Sequence, residues 1–288
     1  MLDLLQSSEQ GTSGCLKGKK ITIITVVYNG AKYLEQAIES VLGQDYPNME
    51  YLVIDGGSTD GSVEIIRKYA AQITSWASEP DEGIYDAMNK GIRMASGDLI
   101  GVLNSDDLLH ENVISKIAHA ADQYPGYDYY YGSVSRMREN GEVYSEAKPV
   151  AEEELDERKY KQIPYPHGGL YMRKKVFEKI GLYNLDYTIN SDYDLILRML
   201  ERNMKGFPLG FAVSRYRDGG VSGGYATFLE RLKLLENHGV SRVQRSFTVA
   251  TSITKLFLSG LLNRAGISYR RREPVRREGG AETERLHG

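Results

Sequence analysis

The sequence predicts an α/β fold: a mostly parallel sheet flanked by helices, with a C-terminal helical extension. Three observations carry that expectation. Short β-branched runs alternate with segments whose apolar residues recur at helical spacing, the pattern of strand–helix–strand units. Several of those runs end in polar or acidic residues. The chain of 288 residues is 41% hydrophobic and 26% charged, enough apolar material for a core and too little charge for global disorder.

The elements follow in order. ITIITVV (Ile21–Val27) reads as a buried strand, and AKYLEQAIESVLGQ as a helix with Leu34, Ile38, Val41 and Leu42 on one face, ended near Gly43. YLVID (Tyr51–Asp55) is a second buried strand. GGSTDGS then forms a loop in which Ser58, Thr59 and Asp60 are candidate caps for a helix holding Val63, Ile66 and Ala70. Ile73–Ser78 is a short strand, Gly83–Ala95 a helix, and Asp98–Asn104 a strand stopping at Ser105-Asp106-Asp107. Glu111–Gln123 is helical. From Tyr127 the texture alternates, suggesting strands that add to or flank the sheet. Residues 152–162 read as a solvated helix or loop. Helices are expected at Lys174–Ile180, Asp192–Arg202 and Ala226–His238, and a last strand at Gly210–Arg215.

The organisation expected is a flexible leader (1–18), one domain (19–240, divided at 107/108) and a basic amphipathic tail (241–288). The single cysteine, Cys15, excludes a disulfide framework and a cysteine-based zinc cluster. No apolar run is long enough for a membrane span, and the N-terminus lacks a secretory pattern. Charge is unevenly spread. Nine Lys or Arg face one acid, Glu273, between Ser241 and Arg277, a net +8 that leaves −11 for the rest of a chain whose total is −3. An acidic body with a basic tail makes nucleic acid a poor partner. An anionic membrane surface suits the tail better, since Leu256, Phe257, Leu258, Leu261 and Leu262 lie beside its arginines; an oligomer contact or a disordered tail is the plainer alternative.

In parallel α/β sheets ligands collect beyond the carboxyl ends of the strands. Tyr28-Asn29, Asp55 and Asn104-Ser105-Asp106-Asp107 are such ends; any one alone is ordinary turn chemistry, whereas three together point to a site. Adjacent carboxylates at Asp106-Asp107 repel, by roughly 4 kcal/mol for charges about 4 Å apart at an effective dielectric near 20. A divalent cation relieves that cost, and oxygen ligands suit Mg²⁺ or Mn²⁺; a helix cap is the competing role for Asp107. Neither a Walker A sequence nor GxGxxG is present, so a glycine-rich phosphate cradle is excluded.

ITIITVVYNGAKYLEQAIESVLGQDYPNMEYLVIDGGSTDGS, SEPDEGIYDAMNKGIRMASGDLIGVLNSDD and NSDYDLILRM resemble, in order and spacing, the inverting nucleotide-sugar glycosyltransferases of family 2, over about residues 20–240. The resemblance implies a GT-A-type, Rossmann-like fold and a nucleotide-sugar donor (UDP-, dTDP- or GDP-sugar). It also implies a divalent metal and a single displacement at the anomeric carbon. The expectation is a cytoplasmic enzyme with a saccharide or lipid-linked acceptor in cell-surface polysaccharide or glycolipid synthesis, held at the inner membrane face by its tail. Carried over by position, Thr25, Val27 and Asn29 line the nucleoside pocket, Asp55 bonds the base with Ser58 nearby, and Asp81 lies close to the donor. Asn104-Ser105-Asp106 takes the place of the family's Asp-x-Asp, with an amide for the first carboxylate. Asp106 becomes the preferred metal ligand, supported by Asp107. Asp192 falls at the catalytic base, with Ser191 where the family has Glu.

The base must accept the acceptor hydroxyl's proton opposite the departing diphosphate. A helix N-cap is the other role open to Asp192, and Asp194, two residues on, points elsewhere. His167 and Gly168 suit acceptor contact. His238 is either a late metal ligand or a helix-end signal. Arg217 with Gly219–Gly224 is a candidate lid over the diphosphate. The 21 tyrosines offer stacking faces for sugars, although strand propensity accounts for most of them. Two rivals stay open. A sugar-1-phosphate nucleotidyltransferase is disfavoured because YNGAKYLEQ, not a basic glycine-rich loop, follows the first strand. A non-catalytic nucleotide-sugar-binding subunit is raised by Asn104 and Ser191.

Overall fold

ITIITVV forms β1 (Ile21–Val27), buried at every residue. Its side chains alternate between two cores, Ile21, Ile23 and Val27 on one face and Ile24 and Val26 on the other, as a central strand requires. The computed structural model describes residues 18–219 and 225–246. Helix α1 (Ala31–Leu42) leads to β2 (Met49–Asp55), and α2 (Ser62–Tyr69) to β3 (Ser75–Ser78). Helix α3 (Ile84–Met94) precedes β4 (Leu99–Asn104), which is followed by the two-residue β5 (Leu108–Leu109) and α4 (Val113–Gln123). The remaining elements are β6 (Tyr129–Met137), β7 (Val143–Ala147), α5 (Leu155–Arg158), β8 (Leu170–Arg173), α6 (Lys174–Ile180), α7 (Ser191–Glu201), β9 (Gly206–Arg217) and α8 (Tyr225–Asn237).

The sheet runs β3-β2-β1-β4-β8-β6-β9-β5, with β7 on the side of β6. Apolar side chains of α1, α2 and α4 cover one face, and those of α3, α6 and α7 the other. From β3 to β4 the strands are parallel, as expected. Beyond β4 the sheet becomes mixed: β8 is antiparallel to both β4 and β6, while β6 and β9 are parallel again. A Cβ on Gly101 of β4 would lie 2.4 Å from the ring of Tyr171, so glycine lets the β8 tyrosine lie across the strand. Strand β9 begins earlier than expected because Gly210, at φ +77°, and the register shifts after Tyr131 act as irregularities inside the strand and do not end it.

At the edge opposite the polar strand ends, buried Glu50 accepts from Lys20 Nζ (3.0 Å), Thr22 Oγ1 (2.6 Å), and the N–H (2.7 Å) and hydroxyl (2.5 Å) of Ser96, tying β1, β2 and the α3–β4 turn together. Burial alone would raise its pKa, but the bonds from Ser96, Thr22 and Lys20 outweigh it and hold the carboxyl at about 2. Its stabilisation is therefore full above the ordinary carboxylate pKa and is lost as pH falls from about 4.5 towards 2. Glu50→Gln should cost up to about 3 kcal/mol at neutral pH, read from urea midpoints, with the difference from wild type shrinking below pH 4.

The chain divides after Val240 into two units; of the second, residues 242–246 are helical. The leader to residue 17 with Cys15, the glycine loop at 220–224, and the tail from 247 with its leucines and arginine cluster lie outside the described residues. Among the described residues no helix is long and apolar enough to cross a membrane.

Candidate functional site

Strand register puts Val27 beside Asp55 and Val26 beside Asn104, so the polar ends of β1, β2 and β4 share one edge. Asp55 is fully buried. Its Oδ2 accepts the N–H groups of Gly57 (3.1 Å) and Ser58 (3.0 Å) and the Ser78 hydroxyl (2.6 Å), which closes the turn after β2. Its Oδ1 is buried without a partner. A buried acceptor left unmade is costly, and a ligand N–H would relieve it.

Asn29 takes a left-handed conformation (φ 50°) and laces the loops after β1 and β2 together. Its N–H donates to Ser58 Oγ (2.7 Å) and its Oδ1 accepts the Thr59 N–H (2.9 Å). Asp60 accepts from the N–H groups of Ala31 and Ser62, joining the starts of α1 and α2, although Gly61 occupies the cap position itself. Asp81 accepts the Gly83 N–H (2.9 Å) and packs on Gly56, where a Cβ would lie 2.4 Å from its Oδ2. Ser105 packs likewise on Gly30, its Oγ 2.8 Å from the position of a Cβ there. Asn29, Asp55, Ser58, Asp81, Asn104 and Ser105 thus form one rim. Thr25 and Val27, expected in the same pocket, turn into the core instead: Thr25 accepts the Tyr51 hydroxyl (3.1 Å) and Val27 packs under α1. The strand end presents Tyr28, 68% exposed, which the sequence placed at a polar strand end without giving it a role of its own.

The acidic turn separates two roles. Asp107 is 3% exposed; its Oδ1 accepts the Arg217 N–H (3.0 Å) and its Oδ2 the Asn104 amide (3.3 Å). Burial, with the charge of Asp106 beside it, pushes its carboxyl up to about 7. With both oxygens engaged internally, Asp107 brackets β9 and does not stand as the second metal ligand expected of it. Asp106 is half-buried, its pKa raised by burial against the opposing charge of Arg217. Asn104 Oδ1 is buried without a partner. Asp106 and Asn104 therefore offer one carboxylate and one neutral oxygen, a donor set that suits a hard divalent cation completed by phosphate oxygens and water. Among the described residues no three His, Cys, Asp or Glu side chains form a ready-made cation cage.

Arg217 is no lid. It is 3% exposed, and its side chain donates to the carbonyls of Asp106 (3.0 Å) and Glu139 (2.8 Å) and to Gln36 Oε1 (3.1 Å), with the guanidinium 4.0 Å above the Tyr33 ring. It fastens the acidic turn to α1 and to the end of β6.

The turn His167–Gly169 packs against β4, next to the acidic turn. A Cβ on Gly168 would meet Ser214 Oγ at 2.8 Å, and that hydroxyl donates to the Gly168 carbonyl (2.9 Å); the close approach that needs glycine is to β9. His167 Nε2 bonds the Tyr183 hydroxyl (2.7 Å), and Tyr183 stacks on Tyr85 with ring centroids 5.4 Å apart. The Tyr85 hydroxyl, from the first turn of α3, shares its one proton between the Ile189 carbonyl (2.6 Å) and Asp192 Oδ1 (3.3 Å). Asp192 sits in the first turn of α7, while Asn190 occupies the cap position. Burial raises the Asp192 pKa, with His167 opposing; burial lowers that of His167, with Asp192 opposing. Asp194 points elsewhere, to Arg198 (2.7 Å) and to His238 (3.0 Å), which also bonds Glu201 (2.7 Å), so His238 staples α8 to α7.

The α3 start follows β3, so Asp192 is held on the same edge of the sheet as Asp55 and the acidic turn. A basic carboxylate, a deprived buried acceptor and a half-buried carboxylate thus converge on one edge, an arrangement suited to joining a hydroxyl to an activated, anionic donor.

Several known proteins resemble the chain. The chain is 33% identical over 193 residues to an uncharacterized glycosyltransferase of Mycobacterium tuberculosis, covering 62% of this chain and 68% of that protein. It is 28% identical over 259 residues to the PGL/p-HBAD biosynthesis glycosyltransferase of Mycobacterium bovis, covering 87% and 97%. Among solved structures it resembles S. aureus TarS in complex with UDP-GlcNAc (TM-score 0.60, 16% identity, 80% of this chain and 69% of that one). It also resembles a Pyrobaculum calidifontis mannosyltransferase in complex with GDP-Man and Mn²⁺ (TM-score 0.55, 17% identity, 76% and 63%). These structures share the GT-A fold. The profile of glycosyl transferase family 2 matches residues 22–181, and with that match, on this fold, the chain belongs to glycosyl transferase family 2.

Proposed function

We propose that the protein transfers a sugar from a nucleotide-diphosphate sugar to a hydroxyl of a saccharide or lipid-linked acceptor, with inversion at the anomeric carbon, in polysaccharide or glycolipid synthesis. The observation that carries this reading is the placement of Asp192, hydrogen-bonded by Tyr85, on the sheet edge that also holds Asp55 and Asp106. Asp55 Oδ1 accepts an N–H of the nucleobase, and the exposed Tyr28 ring offers a stacking face for it. Asn29, Ser58, Asp81 and Ser105 shape the rim that receives the nucleoside and sugar. Asp106, with Asn104 Oδ1, would hold Mn²⁺ or Mg²⁺, which when bound neutralises charge on the diphosphate. Asp192 accepts the acceptor hydroxyl's proton as the new C–O bond forms and the nucleoside diphosphate departs from the other face. Its desolvated carboxylate is a stronger base than one in water, and Tyr85 fixes its direction. His167 and Gly168 border the acceptor's approach.

A thermal-shift screen of UDP-GlcNAc, GDP-mannose and a dTDP-sugar, each with and without Mn²⁺, tests the reading. One donor should raise the unfolding midpoint, and more with Mn²⁺; at about 100 times Kd the gain is roughly 2.7 kcal/mol. No response to any nucleotide sugar or nucleoside diphosphate contradicts it.

A further inference from the structure

We propose that Glu230, on α8, is a positioning residue for Asp192, holding the start of α7 in the geometry the proton transfer needs. The proposal rests on Asp192 as the base. One carboxylate gathers five donors from the three residues ahead of α7. Oε1 takes the Thr188 N–H and the Thr188 hydroxyl (3.0 Å). Oε2 takes the N–H groups of Ile189 (2.9 Å) and Asn190 (2.8 Å) and the Asn190 side-chain amide (2.8 Å).

The usual local device for this job is absent. Asn190 stands at the cap position of α7, yet it makes no side-chain cap bond, because its amide is drawn to Glu230 and to the Thr227 carbonyl (3.1 Å). An asparagine there ordinarily bonds an N–H of the first helical turn. Here the anchoring group comes from forty residues away in sequence, and it is an anion placed at the positive end of the helix dipole. Burial opposes its charge, but the bonds from Thr188, Asn190 and Ile189 hold the carboxyl below its ordinary range.

The same short segment connects to the base from its other side. The Ile189 carbonyl accepts the Tyr85 hydroxyl, and that hydroxyl also reaches Asp192. Apolar packing of Leu195, Ile196 and Met199 fixes the body of α7, while the position of its first turn depends on what grips residues 188–190. Misplacing a reacting group by about 1 Å can cost on the order of a hundredfold in rate.

The test uses the full chain and the variants Glu230→Ala, Glu230→Gln, Asp192→Asn and the double variant Asp192→Asn/Glu230→Ala. Turnover is read as nucleoside diphosphate released from the nucleotide sugar that most stabilises the wild type, and UDP or GDP affinity by calorimetry, well below the unfolding midpoint. Glu230→Ala should lower kcat about a hundredfold while nucleotide Kd stays within about twofold. Glu230→Gln keeps one acceptor oxygen but turns an NH₂ towards N–H donors, so a loss of about tenfold is expected; it carries the same test should the alanine variant not fold. In the Asp192→Asn background, removing Glu230 should change residual turnover no further. Wild-type kcat in both Glu230 variants, even with a lowered midpoint, would show that Glu230 only staples α8 and would overturn the proposal. An equal loss in both backgrounds would overturn it too. Wild-type turnover by Asp192→Asn would instead remove the base assignment, and this proposal with it.

Discussion

Asp192→Asn is expected to abolish transfer while making the protein harder to unfold at neutral pH. General-base catalysis is worth two to four orders of magnitude, so kcat should fall about a thousandfold or more, measured as nucleoside diphosphate release. The stability gain comes from the cost of desolvating a charge. Burial raises the Asp192 pKa above its unfolded value, with His167 opposing. The carboxyl's favourable contribution is therefore complete below the unfolded pKa and is lost as pH rises through the folded one. Asparagine carries no such penalty. Its advantage over wild type should be largest at pH 7 and above and vanish near pH 4, which unfolding midpoints across that range will show. Loss of transfer with a gain in stability separates a strained functional carboxylate from a structural one.

Asp106→Asn is the second large effect, and its signature differs. Asp106 does not clamp the fold as Asp107 does; Asp107 holds the Arg217 N–H and the Asn104 amide, so its removal belongs to stability. If Asp106 holds the divalent cation, losing its charge removes the cation that would neutralise the departing diphosphate, for which about two to three orders of magnitude in kcat is expected. The Mn²⁺-dependent part of nucleotide affinity should go with it. Steady-state turnover and nucleotide binding with and without Mn²⁺ check both.

Most of the parallel half of the sheet was legible because β1, β2 and β4 are apolar runs buried on both faces, set between helices with one apolar stripe. The polar ends of those strands then follow from topology, which is why Asp55, Asn104 and Asp106 could be singled out. In the mixed half β6, β7 and β9 were legible as strands, but their pairing and β8 were not. β8 is four residues long, and its partners in β4 and β6 lie far away in sequence, so nothing local marks LYMR as a strand. The fate of a side chain was equally hidden: Thr25 and Val27 stand at the right strand end, but β1 is covered on both faces, so both are packed in the core. Arg217 read as a mobile cation because it precedes a glycine-rich loop, whereas its four partners come from α1, the acidic turn and the end of β6. Glu230 lacked any signal, since a glutamate on a mixed helix face is ordinary until the residues before α7 are seen to converge on it.

The central claim is a division of labour along one sheet edge, with Asp106 on the leaving-group side and Asp192 on the acceptor side. Calorimetric titration of wild type, Asp106→Asn and Asp192→Asn with the nucleoside diphosphate of the preferred donor, in Mn²⁺, tests it most directly. The account predicts that Asp192→Asn binds the nucleotide as tightly as wild type, while Asp106→Asn loses at least tenfold, on the order expected when a ligand-holding group is removed. Equal weakening by the two substitutions, or undiminished binding by Asp106→Asn, would contradict it.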